Sequence, residues 1–337
     1  MTEYFVAKNV ANMMSKPDPD SGLVSQAIAG TIVLIEKTEN DYCYVQTPDL
    51  YHGWIAKRRL IPAWDRSAYE TVMVKTLFAD VYAKPEGNSP LLTKLVLGTR
   101  LPISSANARN NVDQNTGQNI QSNNISAQSS ASFSSNIFIE VLLPDKQPGF
   151  ICADCLESWQ DSQSDEVAFE EKWRSSKRSQ REEMIAGLGK KVVTMAKCLM
   201  GTPYLWGGGT PFGMDCSGMT QLTYKLNGVQ LLRDSYMQYD DCRFNKIERD
   251  KALENAVLQA GDLLVFDIKQ KGKIDHIGIA CGDGTFIQTR GEMLDAGVVI
   301  NECTDPYYNK IYIGATRLSP QADINIAAAY LNGVLAD

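Results

Sequence analysis

A cysteine stands where the sequence predicts the beginning of a helix. Gly207-Gly208-Gly209 and Asp215 precede Cys216, and apolar residues follow it at steps of three and four. That spacing is typical of an amphipathic helix, which Asp215 is suited to cap. Because helix N-termini stabilise anions, we expect Cys216 to be a thiolate and its surroundings to favour an oxyanion. A small buried apolar residue is the competing interpretation.

A base for this nucleophile has few candidates, since the chain has only two histidines, His52 and His276. His276 lies in a segment that predicts a strand, and alternation places Gly278 and Ala280 on its face. A lone histidine on a strand is more often structural. The small residues beside His276 leave room for a helix or a substrate, and they favour a catalytic role.

The next predicted strand, 285–289, offers a third residue. If the turn before it has three residues, Cys281 pairs with Thr285, and Gln288 becomes a diagonal neighbour of His276 on the same face. A two-residue turn would place the two on opposite faces. The Gln288 amide could then orient the imidazole, or it could simply be satisfied by its own strand.

Composition excludes several classes of protein. The 337 residues carry 33 basic and 40 acidic side chains, a net charge of −7, so general nucleic-acid binding is not expected. No apolar run approaches the roughly 18 residues of a membrane span. The N-terminus lacks the pattern of a secretory signal, so we expect a cytoplasmic protein with mostly reduced cysteines; export by another route stays open.

Short strand-like segments fill residues 1–64, and turn residues separate them. The last is Tyr51-His52-Gly53-Trp54-Ile55, which resembles the end of a bacterial SH3-like domain. This resemblance predicts a small all-β barrel.

Residues 65–160 repeat this plan, with 148–151 standing where Gly53-Trp54-Ile55 stood. The repeat is interrupted at about 104–136 by a segment rich in Ser, Asn and Gln, which we expect to be disordered. The role of this insertion stays open. So does that of Cys152 and Cys155, whose spacing suits a redox pair or half a zinc site but is more often structural.

A charged stretch at 161–184 predicts a helical linker, and the composition then changes to that of a mixed α/β domain over 185–320. Residues 321–337 form a tail in which a short closing helix is possible.

Ordered motifs in the last domain resemble those of the NlpC-type cell-wall peptidases, which are papain-like cysteine enzymes. The matching segments are 202–208, 215–218, 233–235, 260–263 and 275–279. The resemblance implies an α+β fold in which the helix bearing the cysteine packs on an antiparallel sheet. It makes Cys216 the nucleophile and His276 the base. Gln288 falls where the family often has histidine.

Two SH3-like domains ahead of such a domain are similar to the γ-D-glutamyl-L-diamino acid endopeptidases. The resemblance implies cleavage of the bond between D-Glu and meso-diaminopimelate in L-Ala-γ-D-Glu-meso-diaminopimelate stem peptides. It implies no metal or organic cofactor. Whether the substrate is the intact sacculus or free peptide stays open, and so does the oligomeric state.

The resemblance also carries over substrate contacts. The Tyr204 hydroxyl would stabilise the oxyanion, and Asp215 would pair with the free amine of L-Ala. Ser217 and Ser235 would hold polar atoms of the L-Ala-D-Glu unit, and Trp206 would wall the pocket. Tyr51, from the first SH3-like domain, would close the amine end.

Two other functions are compatible with these patterns. The first is a non-catalytic wall-binding protein whose last domain has decayed, against which the presence of Cys216 and His276 argues. The second is a papain-like amidase or acyltransferase.

Overall fold

The computed structural model describes residues 2–104, 137–159, 165–247, 258–291 and 297–325, and the chain forms two compact units, 1–164 and 165–337. The predicted insertion lies outside the described residues from position 105 onwards, as does the tail from position 326. The predicted disorder, the closing helix and the detailed domain boundaries therefore stay predictions.

The first part of the N-terminal unit is one antiparallel sheet of order β3-β2-β6-β5-β4-β1-β7. Its strands are β1 (Thr2–Val6), β2 (Val10–Met14), β3 (Leu23–Ile28), β4 (Ile32–Glu39), β5 (Tyr42–Gln46), β6 (His52–Ala56) and β7 (Leu60–Pro62). Apolar residues that alternate along these strands form its core, among them Val6, Met13, Val33, Val45 and Ile55.

The second part of this unit contains two smaller sheets, β10-β9-β13-β12 and β11-β8-β14, around one apolar core. Its strands are β8 (Thr71–Val74), β9 (Phe78–Tyr82), β10 (Leu91–Val96), β11 (Arg100–Pro102), β12 (Phe138–Leu142), β13 (Pro148–Cys152) and β14 (Leu156–Trp159).

Local geometry recurs between the two parts. Gly30 (φ 77°) donates its N–H to the Val6 carbonyl at 2.9 Å, and Gly98 (φ 83°) donates to the Val74 carbonyl at 2.9 Å. A short 3₁₀ helix precedes the last strand of each part, at Lys57–Arg59 and at Ala153–Cys155. The offset is 98 − 30 = 68 residues before the insertion and 153 − 57 = 96 after it, so the insertion accounts for the difference.

Cys152 precedes the second 3₁₀ helix and Cys155 is its last residue, and both side chains are buried in the core of their part of the unit. All eight cysteines lie among the described residues, and none is in a disulfide.

The C-terminal unit is built on an antiparallel sheet of order β17-β22-β18-β19-β20-β21. These strands are β17 (Phe244–Ile247), β18 (Leu263–Phe266), β19 (His276–Ala280), β20 (Thr285–Arg290), β21 (Gly297–Glu302) and β22 (Tyr312–Leu318). A hairpin of β15 (Gly209–Thr210) and β16 (Gly213–Met214) precedes them. The helices are α1 (Asp165–Ser175), α2 (Arg178–Cys198), α3 (Cys216–Lys225), α4 (Ser235–Asp240) and α5 (Pro306–Ile311). No helix in the described part of the chain is long and apolar enough to cross a membrane.

From residue 165 onwards, the stretch predicted as a linker belongs to this unit. Trp173 of α1 is 1% exposed, and its ring nitrogen donates to the Ala322 carbonyl at 2.8 Å. Arg181 of α2 donates to the Trp173 carbonyl at 2.8 Å and lies over its ring. The buried indole of Trp173 thus ties α1 to residue 322 and to α2.

Register brings the predicted site residues together. Gly278 pairs with Gln288 and Ala280 with Phe286, and the Cys281 N–H donates to the Thr285 carbonyl at 2.8 Å. The prediction of a three-residue turn is thus confirmed. Helix α3, which carries Cys216, packs against β19 and β20.

Candidate active site

Helix α3 begins at Cys216, as the sequence predicts. Asp215 has extended backbone geometry, and its Oδ1 accepts the Gly218 N–H at 2.7 Å, which is a helix N-cap. The turn before it approaches closely, because a Cβ on Gly218 would lie 2.1 Å from the Gly208 carbonyl oxygen. Glycine at 218 is therefore required for the preceding loop to hold the helix start in this position.

The Cys216 side chain is enclosed, since the residue is only 8% exposed. Burial raises the pKa of its thiol to about 12, and the Asp215 carboxylate acts in the same direction. The Ile277 and Ser217 N–H groups and the Arg233 charge oppose this rise. Desolvation thus favours the neutral thiol and opposes the thiolate that the helix start predicts, which stays a prediction.

His276 and Gln288 form a buried pair on neighbouring strands. The His276 Nε2–H donates to Gln288 Oε1, and the two residues are 4% and 0% exposed. Burial lowers the pKa of His276 to about 4, although the hydrogen bond to Gln288 acts in the opposite direction. The imidazole is neutral at pH 7, and the proton on Nε2 leaves a lone pair on Nδ1.

Thiol and imidazole share one end of β19. The Ile277 N–H contacts the Cys216 thiol, and Ile277 is the residue after His276. A buried thiol at the strand residue next to a neutral imidazole that a third side chain orients is an arrangement suited to nucleophilic catalysis.

The Asp215 carboxylate bonds the loop before α3 and the Arg233 side chain. Its Oδ1 accepts from Gly218 and from Arg233 Nη1 at 3.1 Å, and its Oδ2 accepts from Arg233 Nη2 at 2.8 Å and from the Gly207 N–H at 2.9 Å. Ser217 Oγ also donates to Oδ1 at 3.3 Å and accepts from Arg233 Nη1 at 2.9 Å. Through these bonds Asp215 positions the loop, and its pairing with a substrate amine stays a prediction.

The structure places three other predicted residues around the same loop and helix. Tyr204 bridges to Met214, and its ring lies where a Cβ on Gly291 would be. Trp206 is 63% exposed, and Ser235 is buried at the start of α4. Their contacts with substrate stay predictions.

Tyr51 lies in the N-terminal unit, in the turn before β6. Its carbonyl accepts the Thr47 N–H at 2.9 Å and the Thr47 hydroxyl at 3.1 Å, and its side chain packs half-buried against the core of the first part. Its predicted role at the amine end of the site stays a prediction.

Sequence reasoning missed several residues that support the site. Arg233 stands in one of the recognised motifs, and it is 1% exposed, but no role followed from its type alone. Asn301 and Tyr308 both bond the Gln288 amide, and Arg290 bonds Tyr308. The register of β21 and the position of α5 were needed to find them.

Comparison with known families agrees with this geometry. Residues 201–317 match the NlpC/P60 family. The chain carries an NlpC/P60 domain. Residues 13–60 match the bacterial dipeptidyl-peptidase Sh3 domain. The predicted family is thereby confirmed, as is a papain-like domain preceded by an SH3 domain.

Individual relatives extend the match. Dipeptidyl-peptidase 6 of Lysinibacillus sphaericus is 28% identical over 264 residues, 76% of this chain and 79% of that protein. The gamma-D-glutamyl-L-lysine dipeptidyl-peptidase of Bacillus cereus is 34% identical over 130 residues, which are 38% of this chain and 36% of that protein. The chain thus spans most of the first relative and little more than a third of the second.

A solved structure shares the fold. The crystal structure of an NlpC/P60 family protein from Bacillus cereus aligns over 94% of this chain and 99% of its own with a TM-score of 0.67. Since the identity is 21%, the likeness concerns the fold alone.

Proposed function

We propose that this protein is a cysteine peptidase that cleaves the γ-D-glutamyl–meso-diaminopimelate bond of L-Ala-γ-D-Glu-meso-diaminopimelate stem peptides. The observation that carries the proposal is the buried Cys216 thiol at the N–H of Ile277, the residue after His276, whose Nε2–H is held by Gln288. The match of residues 201–317 to the NlpC/P60 family supports a peptidase, as does the name of the Lysinibacillus sphaericus relative. The name of the Bacillus cereus relative supports a γ-D-glutamyl peptide as substrate.

The protonation states define the first step. As the γ-D-glutamyl carbonyl carbon approaches Cys216, His276 Nδ1 takes the thiol proton and the sulfur attacks that carbon. The raised thiol pKa and lowered imidazole pKa disfavour an ion pair before substrate binds, so proton transfer accompanies attack. Gln288 Oε1 then stabilises the imidazolium through the Nε2–H.

The remaining steps return the enzyme to its resting state. The imidazolium gives its Nδ1 proton to the diaminopimelate amine as the C–N bond breaks, which leaves a thioester on Cys216. Water loses a proton to His276 and attacks the thioester, and L-Ala-D-Glu is released as the sulfur regains a proton.

Substrate contacts follow from the family resemblance and the placement of the residues. Tyr204 is proposed to donate its hydroxyl to the oxyanion, and Ser235 to bind polar atoms of the L-Ala-D-Glu unit. Trp206 is proposed to line the substrate pocket, and Tyr51 to close its amine end. The Ser217 hydroxyl is bonded by Arg233, so Ser217 is proposed to bind the substrate with its backbone N–H, which lies beside the thiol.

We also propose that the second part of the N-terminal unit is an SH3-like barrel. The recurring glycine turns at Gly30 and Gly98, and the 3₁₀ helices before the last strands, support a duplicated fold. The insertion would then lengthen one loop of the second copy.

The decisive experiment is hydrolysis of L-Ala-γ-D-Glu-meso-diaminopimelate, with the released diamino acid detected by mass spectrometry. Wild type is expected to release it, and Cys216→Ala is expected to release none while retaining its circular dichroism spectrum. No product from wild type, or unchanged turnover in Cys216→Ala, would refute the proposal.

A further inference from the structure

The hydrogen bonds around the site continue beyond Gln288. Its amide nitrogen donates to Asn301 Oδ1 at 2.7 Å and also to the Tyr308 hydroxyl oxygen. Arg290 Nη1 donates to the same hydroxyl oxygen at 2.8 Å. Both N–H groups of the Gln288 amide are therefore used, and its carbonyl oxygen is left for His276.

Two different elements supply these acceptors. Asn301 on β21 pairs with Phe286 on β20, so it is the diagonal neighbour of Gln288. Tyr308 comes from α5, and its ring packs edge-on against Phe286 with centroids 5.0 Å apart. The Tyr308 hydroxyl is thus fixed by core packing as well as by Arg290.

The orientation of the Gln288 amide determines which ring nitrogen of His276 carries the proton. With Gln288 Oε1 toward the ring, the proton lies on Nε2 and Nδ1 can accept a proton. With the amide reversed, its N–H would donate to Nε2, and the proton would move to Nδ1. Such an imidazole has no lone pair at Nδ1 to take the thiol proton. Reversal would also set the Gln288 carbonyl oxygen against Asn301 Oδ1.

We propose that Asn301 and Tyr308 are positioning residues that keep the Gln288 carbonyl oxygen on His276 and thereby keep the imidazole proton on Nε2. Arg290 supports them by holding the Tyr308 hydroxyl, and its second nitrogen, Nη2, donates to the Tyr307 hydroxyl at 3.2 Å. A single glutamine amide is thus oriented by two independent acceptors.

The tautomer can be measured directly, because the chain has only two histidines. The full-length protein is labelled with ¹⁵N-histidine, and long-range ¹H–¹⁵N correlation spectra at pH 7 report which ring nitrogen of His276 is protonated. His52 serves as an internal reference. Asn301→Leu and Tyr308→Phe each remove one acceptor, and the double variant removes both. Tyr307→Phe removes a neighbouring hydroxyl for which no contact with Gln288 is described.

Wild type and Tyr307→Phe are expected to carry the His276 proton on Nε2. The double variant is expected to show a substantial Nδ1–H population, and each single variant less. Asn301→Asp should restore Nε2–H when combined with Tyr308→Phe, since a carboxylate accepts and cannot donate. Nδ1–H in wild type, or pure Nε2–H in a folded double variant, would overturn the proposal.

Kinetics give a second readout, which rests on the peptidase function proposed above. Tyr308→Phe is expected to lower kcat about threefold and to change KM less than about twofold, because orientation of the base matters mainly in the transition state. Unchanged kcat with a shifted tautomer would refute the link to catalysis. If wild type shows no hydrolysis but the tautomers behave as expected, the proposed function fails while the positioning role stands.

Discussion

The two sides of the site are stabilised by different kinds of contact. On the nucleophile side, the Asp215–Arg233 ion pair is almost fully buried and ties Gly207 to the start of α3. On the base side, His276 is oriented by neutral amide and hydroxyl groups, beginning with Gln288. An ion pair thus holds the backbone on one side, whereas a neutral amide is the hydrogen-bond partner of the imidazole on the other and the Arg290 charge lies beyond Tyr308.

This difference has a physical basis in the cost of buried charge. A carboxylate in place of Gln288 would stabilise the imidazolium and raise the pKa of His276, whereas an amide orients the ring without adding a charge. The loop before α3 is stabilised by a charged group instead, since the paired Asp215 carboxylate can accept several N–H groups at once.

The largest expected change in stability comes from the ionic side. Arg233→Met leaves Asp215 buried without its counter-charge, and such changes cost about 3–5 kcal/mol. Denaturant unfolding should show this loss, and Arg178→Met, at a residue whose side chain is 68% exposed, should change stability by less than about 1 kcal/mol. Equal effects of the two substitutions would mean that the buried pair does not hold the loop.

The buried His276 should make the free energy of unfolding depend on pH. The pKa of His276 is lowered from 6.5 to about 4 by burial. Between these values the unfolded state binds more protons than the folded state, so stability falls as the pH falls from 6.5 to 4, by up to about 3 kcal/mol. Thermal or denaturant unfolding across this range measures the effect.

A comparison of variants isolates the contribution of His276. His276→Asn should remove this part of the pH dependence, and His52→Gln should leave it intact. If His276→Asn retains the full slope, other groups cause the loss of stability and the imidazole is not held neutral.

Gln288 offers a smaller effect on the same side. Gln288→Ala should lower kcat about tenfold and change KM little, because the imidazolium loses its acceptor. Gln288→His should retain substantial activity, since a ring nitrogen can accept the His276 Nε2–H. Steady-state kinetics on the free tripeptide measure both, and wild-type kcat in Gln288→Ala would show that the ring is oriented without this amide.

The helix start at Cys216 and the diagonal relation of His276 and Gln288 were predictable, because capping and strand register are local properties of the sequence. The burial of Cys216 was not predictable, since it depends on how α3 packs against the sheet, and this burial raises the pKa of the thiol. The charged segment at 161–184 concealed Trp173, whose single buried indole ties it to the C-terminal unit.

Asp215 shows most clearly what sequence position leaves undetermined. The family resemblance implied a substrate contact, yet Arg233, Gly207 and Gly218 all bond its oxygens. Long-range partners such as Arg233 depend on how separate elements pack, and no local pattern encodes them.

The last prediction, with the smallest expected effect, tests whether Asp215 holds the loop and does not contact the substrate. If its carboxylate bound the free L-Ala amine, Asp215→Asn would reduce the preference for peptides with a free amine over N-acetylated ones. Because its oxygens already accept the loop N–H groups and Arg233, we expect Asp215→Asn to lower stability and to change the ratio of kcat/KM for the two peptides by less than about twofold. The ratio is insensitive to the folded fraction, since both peptides are measured with the same enzyme preparation. A tenfold or greater fall in the ratio would show that the substrate amine displaces an internal donor and that Asp215 does contact the substrate.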